Sequence, residues 1–206
     1  MKTMEMIAKV GVVPVIKLNS ADQAVPLARA LEAGDVAVAE ITFRTDAAEE
    51  SIRRIGIEVP NVLLGAGTVL TVDQVERAHG AGAKFIVSPG FDAKVVERSL
   101  ALGMEVLPGC VTPSEIMVAL SLGLKAVKFF PASVYGGLAG IRSLSAAFPG
   151  LQFVPTGGVG PKNLAEFLGF GPILACGGSW MVNATDLEET TKLCLEARAI
   201  VREVRG

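Results

Sequence analysis

Eight times along its 206 residues this chain passes from a short apolar run into a stretch with helical character. The apolar runs are Val12–Leu18, Val36–Thr42, Val62–Ala66, Phe85–Ser88, Glu105–Leu107, Ala126–Phe130, Gln152–Pro155 and Ile173–Cys176. The helical stretches lie near Ala21–Ala33, Ala47–Gly56, Thr71–Gly80, Ala93–Leu102, Pro113–Leu122, Leu138–Ala147, Pro161–Leu168 and Leu187–Val204. A strand covered by helices on both faces reads as a continuous apolar run. Eight such units point to a compact α/β fold, a (β/α)8 TIM barrel in one domain over residues 1–206. A doubly wound open sheet is the competing architecture. The segment before Val12 is expected to form a short N-terminal helix that closes the lower end of the barrel. Asp22, Asp73 and Ser114 suit helix starts, with Pro113 and Pro161 in first turns. Gly34, Gly80, Gly82, Gly103 and Gly123 suit helix exits. No linker or low-complexity segment marks a second domain.

Half the residues are hydrophobic, enough for a sizeable core, and the formal charge is only -2. Without a long basic or acidic run, neither nucleic acid nor an anionic membrane is an expected partner. No apolar stretch approaches the roughly 20 residues of a membrane span. Met1–Met6 lacks the apolar segment of a signal peptide, so a cytoplasmic location is expected. Cys110, Cys176 and Cys194 are odd in number, form no CxxC pair and have apolar or small neighbours. They read as buried free thiols rather than disulfides or a zinc site. The single histidine, His79, reads as a surface or half-buried helix residue. Acid–base work in so histidine-poor a chain falls to carboxylates, lysine or water. No cofactor and no metal are expected, and no GxGxxG or GxxxxGK[ST] motif follows a strand.

One residue breaks the apolar pattern more sharply than any other. Lys128 sits inside Val127-Lys128-Phe129-Phe130-Pro131, where an ammonium gives up hydration. It either snorkels from a strand end or serves chemistry, because an amine shielded from water is a nucleophile at neutral pH. Barrel active sites form where strands end, and those positions carry polar or Gly-Pro elements here. Glu40, within Val36–Ile41, is either a structural ion-pair partner of Lys128 or the acid–base group of an amine-catalysed reaction. Arg44, at the following loop, can grip a carboxylate bidentately. Thr68, after Gly65-Ala66-Gly67, can donate a hydroxyl to the same carboxylate. Gly157-Gly158 after strand 7 and Gly177-Gly178-Ser179 after strand 8 together suggest phosphate binding by exposed N–H groups. Lys17 is the rival nucleophile or a second positive charge. Lys84 and Lys125 read as solvated strand starts, and Lys162 as an exposed helix residue.

The ordered set of motifs closely resembles the 2-keto-3-deoxy-6-phosphogluconate (KDPG) and 4-hydroxy-2-oxoglutarate (KHG) aldolase family. The matching elements are Glu40–Thr45, Gly65–Val69, Phe85–Gly90, Pro108–Glu115, Lys128–Ala132, Pro155–Val159 and Gly177–Trp180. The resemblance implies a metal-independent class I aldolase that cleaves KDPG to pyruvate and glyceraldehyde 3-phosphate, and a homotrimer of (β/α)8 barrels. It implies Lys128 as Schiff-base lysine and Glu40 as general acid–base residue. It implies Arg44 and Thr68 as the grip on the keto-acid carboxylate, Pro89 as a backbone lining of that end, and Phe130 as an aromatic wall near the imine. Gly157, Gly158, Gly178 and Ser179 match the phosphate-binding loops. The chain departs at Pro131-Ala132-Ser133, where the family often carries Pro-Ala-Glu, so fine substrate preference is open. A metal-assisted aldolase or phosphosugar isomerase, and a non-catalytic phosphometabolite-binding barrel, are the competing readings.

Overall fold

The computed structural model describes residues 2–206. Its elements are α1 (Thr3–Val10), β1 (Val12–Ile16), a 3-10 turn (Ala21–Gln23), α2 (Ala24–Ala33), β2 (Val38–Thr42), α3 (Ala48–Glu58), β3 (Leu63–Gly67), α4 (Val72–Ala81) and β4 (Phe85–Val87). They continue with α5 (Ala93–Ala101), β5 (Glu105–Leu107), α6 (Pro113–Ser121), β6 (Ala126–Phe129), α7 (Gly137–Ala147), β7 (Gln152–Pro155), α8 (Leu164–Leu168), β8 (Cys176–Gly178) and α9 (Leu187–Arg205). The predicted alternation of strand and helix holds throughout, including the short helix before β1.

Asp22, Asp73 and Ser114 lie near helix starts as expected, and the caps themselves stand two residues before them. Ser20, Thr71 and Thr112 accept hydrogen bonds from Asp22, Gln74 and Glu115 amides, whereas Asp22, Asp73 and Ser114 occupy the first turns. The cap must be extended while its oxygen reaches forward to an orphan N–H, so it precedes the first helical residue. Thr112 and Glu115 form a full capping box with Pro113 at the first helical position. Pro161 lies outside its helix. Asn163 instead bonds the Gly160 amide and the Gly158 carbonyl, each at 2.9 Å, and delays α8 to Leu164.

The strands are parallel. Six form one curled sheet in the order β5-β4-β3-β2-β1-β8, and β6 pairs with β7. Single bridges, Gly109↔Lys128 and Thr156↔Gly177, link these two sheets. The strands beside both seams, β5 and β8, are three residues long and form their ladders with β4 and β1 on the other side. The eighth strand is also displaced from Ile173–Cys176. Ile173 bridges to Phe153 of β7, and only from Cys176 does the chain pair with β1, Val12↔Cys176 through Pro14↔Gly178.

Phe85, Phe129 and Phe153 are fully buried, the last two meeting edge to face at 6.4 Å. Each such side chain contributes about 1.5–3 kcal/mol on removal from water. At the lower end Arg198 of α9 is buried and donates to Asp35 and to the Val10 carbonyl at 3.0 and 2.7 Å. Among the described residues no helix is long and apolar enough to cross a membrane.

Candidate active site

Lys128 is the third residue of β6, and its backbone bonds Pro108 and Cys110 across the seam, both at 2.9 Å. Its side chain enters the molecule rather than snorkelling out, and the residue is 5 % exposed. Lys128 Nζ lies 3.2 Å from Glu40 Oε1, on the non-adjacent strand β2. Glu40 is itself buried, at 3 % exposure. Two buried opposite charges hold each other in place, and deleting one strands the other at a cost of about 3–5 kcal/mol. The Phe130 ring flanks the amine at 5.4 Å.

Glycine makes room for this pair. A Cβ at Gly67 would fall 2.1 Å from Glu40 Oε1. Across the rim, Arg44 Nε donates to Thr68 Oγ1 at 2.9 Å. Thr68 adopts φ 55, a left-handed conformation that costs a non-glycine residue about 1–3 kcal/mol and recurs at functional sites.

A cavity of about 540 Å³ opens above Lys128. Lys128, Arg44, Phe130, Gly157, Gly158, Gly178 and Ser179 line it, as do Lys17, Thr42, Thr156 and Trp180. Gly157 and Gly158 take φ 90 and 80, and a Cβ on Gly158 would meet Ser133 Cβ at 2.5 Å. Only glycine combines that backbone with that closeness. Of the other expected residues, Glu40 lies beneath the floor through Lys128, and Thr68 stands behind Arg44. Pro89 is outside the lining; its carbonyl packs against Gly109, where a Cβ would lie 2.1 Å away.

Thr156 is, with Thr42, a polar lining residue that sequence reasoning passed over. Its Oγ1 is buried without a hydrogen-bond partner, above Gly177, where a Cβ would come within 2.3 Å. Its place at the end of β7, before two glycines, was the available signal. Asn163, which ties down the Gly158 loop, had no local signal. Lys84, Lys125, Lys162 and His79 are exposed and stand outside the cavity. The three cysteines are free and buried, and burial pushes each thiol up to about 12. Among the described residues no group of three or more His, Cys, Asp or Glu side chains is placed to hold a metal ion.

Comparison with known proteins bears on this geometry. The family described as "Aldolase: KDPG and KHG aldolase" matches residues 3–193. A 2-dehydro-3-deoxy-phosphogluconate aldolase of Treponema pallidum is 46% identical over 202 residues, covering 96% of each chain. A KHG/KDPG aldolase of Escherichia coli is 41% identical over 191 residues, covering 90% of each. A solved KDPG aldolase from Legionella pneumophila, with pyruvate captured as a covalent carbinolamine intermediate, superposes with TM-score 0.91 at 34% identity. It covers 96% of this chain and 98% of its own. A family match across nearly the whole chain, with this level of identity, shows that the chain belongs to the KDPG and KHG aldolase family.

Proposed function

We propose that this protein is a class I aldolase that cleaves KDPG to pyruvate and glyceraldehyde 3-phosphate through a Schiff base on Lys128. The observation that carries this reading is the buried Lys128–Glu40 contact of 3.2 Å at the floor of the cavity. Lys128 attacks the C2 carbonyl, water leaves, and the protonated imine becomes the electron sink for the C3–C4 bond. Glu40, directly or through water, takes the C4 hydroxyl proton as that bond breaks. The aldehyde departs, the enamine is reprotonated, and hydrolysis of the imine frees pyruvate and restores the amine.

The remaining residues set geometry. Arg44, braced by Thr68, holds the carboxylate, with Phe130 bounding that end. Gly157, Gly158, Gly178 and Ser179 hold the phosphate, so remote binding energy seats the reacting carbons. The unpartnered Thr156 hydroxyl offers a hydrogen bond to a hydroxylated substrate. Activity on KHG belongs to the same proposal, supported by the dual name of the Escherichia coli relative.

The strands form one closed barrel in a single domain in this reading. Support comes from the single bridges at both seams and from Glu40 and Lys128 meeting across the interior. Assembly as a homotrimer fits the uncovered apolar side chains of α6, where Met117, Val118 and Leu120 are exposed. Three free thiols fit the reducing cytoplasm.

The test is intact-protein mass spectrometry after pyruvate and borohydride, with peptide mapping. One pyruvate-derived adduct on Lys128 is expected. An adduct on Lys17 would move the nucleophile, and no adduct on folded, pyruvate-binding protein would refute the imine route. Turnover is expected to survive EDTA; loss restored by a divalent ion would favour a metal-enolate route.

A further inference from the structure

Among the described residues, Lys17 is the one cation of the cavity lining that forms no hydrogen bond or ion pair with a protein side chain. Arg44 is tied to Thr68 and Lys128 to Glu40, whereas Lys17 has no carboxylate within ion-pair distance among the described residues. Among the described residues no Asp or Glu lines the cavity, and with Lys128 paired to Glu40 the positive charges of Lys17 and Arg44 are left without a carboxylate. A cavity with that balance favours a ligand with negative charge at more than one point.

The position of Lys17 is built rather than frayed. Ile16 and Leu18 on either side are each 1% exposed. Thr42 Oγ1 donates to the Ile16 carbonyl at 2.9 Å, and Thr45 Oγ1 donates to the Leu18 carbonyl. Both bonds tie the backbone around Lys17 to the end of β2 and the loop after it. Register places Lys17 between two walls. Pro14 pairs with Gly178 and Ile16 with Ile41, so Lys17 emerges between the loop after β8 and the end of β2. The β8 loop carries Gly178 and Ser179.

Glycine amides and one hydroxyl offer a phosphate dipoles but no full charge. A lysine beside them supplies the missing charge as a flexible point donor. On this basis, and resting on the aldolase reading above, we infer that Lys17 is a specificity-determining residue that pairs with the substrate's phosphate. It selects phosphorylated over unphosphorylated aldehydes and takes no part in imine formation.

The experiment runs the reaction in the condensation direction, with pyruvate and either D-glyceraldehyde 3-phosphate or D-glyceraldehyde. Wild type, Lys17→Met and Lys17→Arg are compared. Lys17→Met should lower kcat/KM for the phosphorylated aldehyde by about ten-fold or more, through KM, the range of one charge-assisted hydrogen bond. The ratio of phosphorylated to unphosphorylated kcat/KM should fall with it, and Lys17→Arg should restore most of that ratio. Added salt should shrink the difference between wild type and Lys17→Met. An equal loss on both aldehydes, or an unchanged ratio, overturns the inference. Borohydride trapping of pyruvate separates the two levels of the argument. Trapping on Lys128 with an unchanged ratio refutes only the role of Lys17, while no trapping in the wild type refutes the aldolase reading as well.

Discussion

Gly67→Ala is the sharpest test of the site because it alters neither a charged residue nor the cavity lining. Gly67 does not occupy the left-handed region, so its backbone accepts alanine and only the added methyl matters. That Cβ would lie 2.1 Å from Glu40 Oε1, 2.6 Å from its Cγ and 2.7 Å from its Cδ. Ordinary contact begins near 3.4 Å, so the carboxylate must withdraw by about 1.3 Å. Glu40 is 3 % exposed and crowded along its length, so it moves as a unit, and the 3.2 Å contact with Lys128 is the one that yields. Overpacking costs about 1–3 kcal/mol. The loss rises toward about 3–5 kcal/mol if the buried pair separates. Misplacing a catalytic group by about 1 Å lowers turnover by roughly a hundredfold. The assays are kcat on KDPG, the rate of pyruvate trapping by borohydride, and denaturant unfolding. Gly65→Ala is the control: the three atoms nearest its Cβ all belong to the Phe85 ring, the first at 2.2 Å, so it should destabilise without a comparable loss of turnover in the folded fraction. Gly67→Ala with wild-type kcat and trapping rate would refute the argument that Glu40 must stand where it does.

Lys128→Ala should abolish turnover and destabilise the fold by about 3–5 kcal/mol, since Glu40 is left buried without its partner; near-normal activity in a kinetic assay would remove Lys128 from the mechanism. Glu40→Gln should depress kcat far more than it raises KM, and a defect confined to KM would recast Glu40 as a structural partner. The three thiols should resist alkylation in the native protein at pH 8, each being pushed up to about 12 from an ordinary 9.0. Above about pH 9 the native state keeps protons that the unfolded chain has released, so stability should fall as pH rises, on the order of 1 kcal/mol per thiol per pH unit. Equal pH dependence in a variant with all three replaced by alanine would refute that assignment.

Lys128 and Glu40 were legible because each interrupts an apolar run, and burying a charge without a reason is too costly to be incidental. Strand–helix alternation was legible because local periodicity follows from local burial. The extent of β8 was not. Ile173–Cys176 reads as one apolar run, but Ile173 meets β7 alone, whereas pairing with β1 begins only at Cys176, and no local pattern encodes where the second neighbour joins. The delayed start of α8 was hidden likewise, because Asn163 answers to Gly158 and Gly160 rather than to its own helix.

The sequence by itself determined the inventory: alternating strands and helices, charged residues at strand positions, paired glycines, and family membership through motifs in order. Tertiary structure alone decided the pairing. Lys128 and Glu40 are 88 residues apart and become partners because strands that are not neighbours face a shared interior. The same curvature leaves Lys17 unpaired at the rim and Thr156 without a hydrogen bond inside the cavity. Distance between side chains is set by how the sheet curls, and curl is a property of all the strands together.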